Sequence, residues 1–136
     1  MDKSEFQWKV RVYWEDTDAG GIVFYANYLK FFERARTEWL RSLGIEQQQL
    51  KEALGGMFVV AETRVKYLRP ARLDDELIVT ASLQQCGRAS MTIVQQVLLG
   101  NTVLCEGMVR IGWVHVSSLQ PGRIPQNIIE NLKVSL

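Results

Sequence analysis

The chain has 136 residues, 47% of them hydrophobic, with sixteen Lys and Arg against fifteen Asp and Glu. That is enough apolar material for one compact domain with a core, residues 1–136, and leaves no room for a second. A formal charge of +1 argues against a general nucleic-acid binder or a protein held to anionic membranes by charge.

The opening residues Met1-Asp2-Lys3-Ser4-Glu5 are polar, and nowhere is there an apolar run long enough to span a bilayer, so the expected location is cytoplasmic. Next, Trp8, Val10, Val12 and Trp14 alternate with Gln7, Lys9, Arg11, Tyr13 and Glu15, the period-two signature of a half-buried strand. Residues 15–28 follow: Glu-Asp-Thr-Asp-Ala-Gly-Gly-Ile-Val-Phe-Tyr-Ala-Asn-Tyr. Three carboxylates within four residues repel one another, and the Gly-Gly step frees the backbone for conformations that other residues resist.

From about residue 25 to 43 the apolar residues Tyr28, Phe31, Phe32, Ala35, Trp39 and Leu43 recur at three-and-four spacing, which predicts a long helix with one buried face. Its N-terminus, with free N–H groups and a positive dipole end, falls a few residues after Asp18. A carboxylate beside such an end pairs a nucleophile or base with a site for an oxyanion. Asp18 as a plain turn or helix cap is the competing reading, since Asp caps commonly.

The helix is expected to stop near Gly44, before a polar stretch through Gln47, Gln48 and Gln49 that suits a short helix and ends at Gly55-Gly56. Four strands are expected over about 58–68, 76–85, 89–99 and 102–115. They are separated by Pro70 with Asp74-Asp75, by Cys86-Gly87-Arg88, and by Gly100-Asn101, which makes the last two a hairpin. After Pro121-Gly122 and Pro125, the residues Ile128, Ile129 and Leu132 suit a short terminal helix. One strand, a long apolar helix, then consecutive antiparallel strands is an α+β pattern whose simplest packing wraps the sheet around the helix. The sheet's edges make a homodimer by strand pairing a natural expectation. Cys86, Cys105 and the single histidine, His115, have no metal-ligand spacing.

Asp-Thr-Asp-Ala-Gly-Gly-Ile-Val-Phe-Tyr-Ala-Asn-Tyr, followed by Phe-Phe-Glu-Arg-Ala-Arg, closely resembles the signature of the YbgC-like acyl-CoA thioesterases, relatives of 4-hydroxybenzoyl-CoA thioesterase with the hotdog fold. Thr63-Arg64-Val65-Lys66-Tyr67-Leu68-Arg69-Pro70-Ala71-Arg72-Leu73-Asp74-Asp75 also resembles that family, so the likeness spans most of the chain.

The resemblance implies hydrolysis of an acyl-CoA to the free acid and coenzyme A, with a short-chain, hydroxylated or aromatic acyl group. It gives the catalytic carboxylate to Asp18, as nucleophile or general base, and the polarisation of the thioester carbonyl to the backbone N–H of Tyr25. Many YbgC-like sequences carry histidine at this position, whereas this chain has Tyr25 and so resembles the 4-hydroxybenzoyl-CoA thioesterase branch, which has tyrosine there. It also implies a homodimer with the active sites at its interface, paired in many members into a homotetramer, and no metal or organic cofactor. Asn27 and Tyr28 are candidate substrate contacts at the helix start, Asn27 being also a candidate cap. Glu15 and Asp16 read more plainly as turn or surface residues, and Glu33 as a local partner of Arg36.

Arg64, Lys66, Arg69, Arg72 and Arg88 are candidates for the coenzyme A phosphates, with Arg88, in its short loop, the preferred one. His115 stands outside any acid-paired motif, which argues against a hotdog dehydratase. The remaining alternatives are a non-catalytic acyl-CoA or acyl-carrier-protein binding module and an acyl-carrier-protein thioesterase linked to phospholipid or envelope metabolism.

Overall fold

The computed structural model describes residues 5–135. Strand β1 (Phe6–Arg11) is followed by two single 3-10 turns, Trp14–Asp16 and Tyr25–Asn27, and the second runs directly into helix α1 (Tyr28–Ser42). Then come α2 (Gln47–Leu54), β2 (Gly56–Tyr67), β3 (Glu76–Cys86), β4 (Ser90–Leu99), β5 (Thr102–His115) and α3 (Gln126–Lys133). All strands pair antiparallel in one sheet of order β1-β3-β4-β5-β2, which wraps α1 in the α+β hotdog arrangement. β1 and β2 are the two edges.

The helix forms where the spacing predicts it, and its buried face is Tyr28, Phe31, Phe32, Ala35, Arg36, Trp39 and Leu40. It ends in a Schellman motif: Ile45 N–H donates to the Leu40 carbonyl at 2.9 Å and Gly44 N–H to the Arg41 carbonyl at 3.0 Å, with Gly44 at φ 79°. Leu40 and Ile45, brought together by that turn, are both buried in the core. Along β4 the inward residues Met91, Ile93, Gln95 and Val97 alternate with half-buried ones, as period two requires. At Gly107 of β5 an added Cβ would sit 2.7 Å from the Phe32 ring, so the absence of a side chain lets α1 lie close to the sheet.

The apolar interior divides into two clusters. One surrounds Trp39, Leu40, Met91, Trp113 and Leu132, and the other surrounds Val12, Tyr28, Phe31, Phe32, Leu77 and Cys105. Along α1, β3 and β4 the seam between them falls at Arg36, Thr80 and Gln95, all buried. Arg36 Nη1 donates to Gln95 Oε1 at 3.0 Å, and Gln95 Nε2 donates to the carbonyls of Phe32 and Thr80, each at 3.1 Å. The β3–β4 ladder is interrupted here, between Val79↔Val97 and Ser82↔Val94. The Gln96 N–H goes instead to the Thr80 hydroxyl at 2.9 Å. Burial pulls the Arg36 guanidinium below its usual pKa, with Glu33 opposing.

The first strand is shorter than the alternation predicts. It stops at Arg11, and Trp14, expected on the inner face, is 80% exposed on the 3-10 turn. The cause is local: the Asp16 carboxylate takes the Tyr13 N–H at 2.8 Å and turns the chain out of the sheet. The other elements lie within a few residues of their predicted bounds. No helix among the described residues is long and apolar enough to cross a membrane.

Candidate active site

Asp16 anchors the region. It is 5% exposed, and its Oδ1 accepts from Asn27 Nδ2 and its Oδ2 from the Tyr13 N–H, both at 2.8 Å. Its backbone carbonyl accepts from the Phe24 N–H at 2.9 Å. This carboxylate therefore ties the end of the first strand to the start of the helix. Asn27 occupies the N-cap position of α1 but makes no capping bond; its side chain is buried against Asp16.

Between these anchors residues 17–23 form a miniature hairpin. Thr17 bridges Val23, Asp18 N–H donates to the Ile22 carbonyl at 2.9 Å, and Gly21 N–H donates to the Asp18 carbonyl at 3.0 Å. Gly21 lies at φ 80°, the bulge glycine of a three-residue hairpin loop, a conformation that side chains with a Cβ resist. Asp18 is exposed at the base of this loop. Its Oδ1 accepts from the Gly20 N–H at 2.8 Å, which orients the carboxylate, and Oδ2 has no partner among the described residues. The hairpin is fastened to the segment after β2 by an Ile22–Arg72 bridge and by the Val23 N–H to the Ala71 carbonyl at 2.9 Å.

Tyr25 opens the 3-10 turn, so no carbonyl lies behind its N–H within the helix. Its carbonyl accepts from the Tyr67 hydroxyl at 3.0 Å. The Tyr25, Tyr28 and Tyr67 rings pack together: the Tyr67 centroid is 6.2 Å from that of Tyr25, edge-on, and 5.6 Å from that of Tyr28. Tyr28 is buried; its hydroxyl accepts from the Ala71 N–H at 3.0 Å, and burial raises its pKa above the usual tyrosine value. The three tyrosines, with Ile22, Val23, Leu68, Arg69 and Pro70, line a cleft of about 220 Å³. Behind Tyr28, in the same apolar cluster, lies Cys105, fully buried, its thiol pushed up to about 12 by burial and then by Glu106.

Asp18, Tyr25, Asn27 and Tyr28 thus share one end of the molecule. Arg88 lies elsewhere in the chain, in the β3–β4 connection, with its carbonyl accepting from the Ile124 N–H at 2.8 Å. The length of β4 separates it from the cleft, about 30 Å at roughly 3.3 Å per residue. Arg69 is the arginine in the cleft wall, and Arg72 flanks the hairpin. Glu33 is exposed in a groove between α1 and β2 and makes no ion pair with Arg36 or any other described residue. His115 is exposed at the end of β5, its ring against Gly122. No cluster of His, Cys, Asp and Glu suited to a metal occurs among the described residues. The Tyr67–Tyr25 bond escaped the sequence reading, although Tyr67 stands within the second signature segment.

A family model for the thioesterase-like superfamily matches residues 12–132. An acyl-CoA thioester hydrolase, YbgC, of Escherichia coli O6:H1 is 40% identical over 134 residues, covering 98% of this chain and 99% of its own length. An acyl-CoA thioesterase YbgC of Haemophilus influenzae is 39% identical over 90% of each. Among solved structures, a probable thioesterase from Bartonella henselae superposes with a TM-score of 0.86 at 31% identity, over 90% of this chain and all of that one.

Proposed function

Since the chain belongs to the thioesterase-like superfamily and is a thioester hydrolase, we propose that it cleaves acyl-CoA thioesters with the Asp18 carboxylate as the attacking or water-activating group. The observation that carries this is Asp18 itself: one carboxylate oxygen is oriented by the Gly20 N–H and the other has no partner among the described residues, on a loop stitched to the helix start. A thioester is already electrophilic, so its hydrolysis needs an ionised carboxylate and donors for the oxygen that becomes negative. The Tyr25 N–H, with no acceptor in its own turn and followed by the dipole of α1, suits that second role.

Two routes use the same residues. In one, the free Asp18 oxygen attacks the acyl carbon, the carbon–sulfur bond breaks, coenzyme A leaves, and water hydrolyses the resulting anhydride. In the other, Asp18 takes a proton from water as that water attacks, and the proton passes to the departing sulfur. In both, charge builds on the carbonyl oxygen and is met by the Tyr25 N–H. The cleft of about 220 Å³ lined by Tyr25, Tyr28 and Tyr67 favours a short aliphatic or single-ring acyl group over a long chain. Its aromatic walls suit a hydroxylated or aromatic acyl group as well. Arg69, which lines the cleft, suits a contact with a phosphate of the substrate.

The working form we propose is a homodimer made by pairing the open edge of β2 with that of a second copy, with the homotetramer as its further assembly. The support is the twelve-residue free edge and Val60, 53% exposed upon it. Arg88, distant from the cleft within one chain, would reach a coenzyme A phosphate only if the second copy supplied it.

The test is release of free thiol from short, long and aromatic acyl-CoAs by wild type and Asp18→Asn. The variant is nearly isosteric and lacks the charge, so turnover is expected to fall by a factor on the order of 10³ with binding little changed. Unchanged turnover in Asp18→Asn would refute the assignment. Equal inactivity of wild type on every acyl-CoA would redirect attention to acyl-carrier-protein thioesters.

A further inference from the structure

We infer that Tyr67 is a positioning residue for hydrolysis: its hydroxyl, donated from the end of β2 to the Tyr25 carbonyl, holds the 3-10 turn in the orientation that aims the Tyr25 N–H at the reacting carbonyl. The inference rests on the reading of Tyr25 given above and adds to it a residue 42 positions away that is not itself in contact with the reacting atoms.

The turn needs such an anchor. A single 3-10 turn has poorer hydrogen-bond geometry than an α-helix and only a few residues to stiffen it. Ahead of Tyr25, the Phe24 N–H is fixed to the Asp16 carbonyl at 2.9 Å, and behind it the Asn27 N–H returns to the Phe24 carbonyl at 2.8 Å. The Tyr25 N–H shares its planar peptide unit with the Phe24 carbonyl, so the Asn27 bond holds one of the two peptide planes that meet at Tyr25. The Tyr67 hydroxyl holds the other, through the Tyr25 carbonyl, at 3.0 Å. With both planes held, the two backbone dihedrals of Tyr25 are restrained, and the direction of its N–H with them.

The ring of Tyr67 is itself held. It meets the edge of the Tyr25 ring and lies tilted on the Tyr28 ring, while the Leu68 and Arg69 N–H groups that follow it both go to the Leu104 carbonyl, at 2.9 and 3.0 Å. Tyr67 thus carries the rigidity of the β2–β5 pairing to the turn. Phenylalanine would keep every ring contact and lose only the bond to the carbonyl. Displacing a reacting or stabilising group by a fraction of an ångström to an ångström is costly in rate, because the benefit of orientation is lost.

The experiment is Tyr67→Phe, assayed for kcat and KM on at least three acyl-CoAs of different acyl size, beside Asp18→Asn and with melting temperatures for all. The expected result for Tyr67→Phe is a fall in kcat of roughly tenfold. The factor should be the same for every acyl group, with KM within about twofold and the pH profile of wild type retained, since Asp18 is untouched. A kcat equal to wild type overturns the inference. So does an effect confined to KM or varying with the acyl group, which would make the Tyr67 hydroxyl a direct substrate contact. Full turnover in Asp18→Asn overturns the carboxylate reading alone; the kcat of Tyr67→Phe still reports on the turn.

Discussion

Asp16 and Asp18 stand two positions apart and have opposite fates. Asp16 is buried with both carboxylate oxygens and its carbonyl occupied, whereas Asp18 is exposed with one oxygen unpartnered among the described residues. A carboxylate that satisfies one buried and one part-buried donor is structural in the strict sense that its removal strands them. Asp16→Ala is therefore expected to cost about 2–3 kcal/mol by leaving the Tyr13 N–H and the Asn27 amide without an acceptor. It should lower the denaturant midpoint and turnover together, in contrast to Asp18→Asn, whose midpoint should stay near that of wild type; urea unfolding of both variants checks this. The amino-acid string could show the acids crowded together and the helix beginning just after them. It could not show which acid turns inward, because that depends on Asn27, eleven residues on, and on the register of the Tyr13 turn.

The regular elements were more legible than the contacts between them. Turn residues marked off the later strands, and three-and-four spacing marked α1, because burial on one face of an element imposes a period on the sequence. Trp14 misled for the same reason: its place in an alternating run is what an inward strand residue would have, until the Asp16 carboxylate captures the Tyr13 N–H. Nor did any pattern announce Gln95, a polar residue at an inward position of β4. It lies where three buried groups need it, the Arg36 guanidinium and the carbonyls of Phe32 and Thr80, across the interrupted β3–β4 ladder. Gln95→Leu should destabilise the fold by about 2–3 kcal/mol despite adding apolar surface, since it leaves a buried cation with no acceptor. Gln95→Glu should not restore it fully, because a carboxylate suits Arg36 but cannot donate to the two carbonyls. Thermal unfolding of the pair checks both statements.

In the whole molecule, one strand has two neighbours at stake. β2 is bound on one side to β5, and its other side is open along Gly56–Tyr67, ending in the tyrosine that reaches the candidate active site. Strand order is not written in local pattern, so neither this edge nor its approach to Tyr25 could be read before the sheet was seen. If two copies join at that edge, disturbing its middle should be felt at its end. Val60→Asp, placing a charge on the exposed edge, is expected to convert the dimer to monomer by sedimentation velocity and to lower turnover severalfold. A variant that is monomeric yet fully active would separate assembly from catalysis.

Cys105 lies in the apolar cluster behind the tyrosines of the cleft, with its thiol pushed up to about 12. A thioester is consumed by any thiolate that can reach it: acyl transfer to sulfur merely exchanges one thioester for another. The coenzyme A released is itself a thiol, able to form a mixed disulfide with an accessible cysteine under oxidising conditions. A cysteine kept protonated and sealed behind Tyr28 can do neither. The wall that shapes the cleft also insulates it chemically, so an acyl group lodged there would be kept from the Cys105 sulfur.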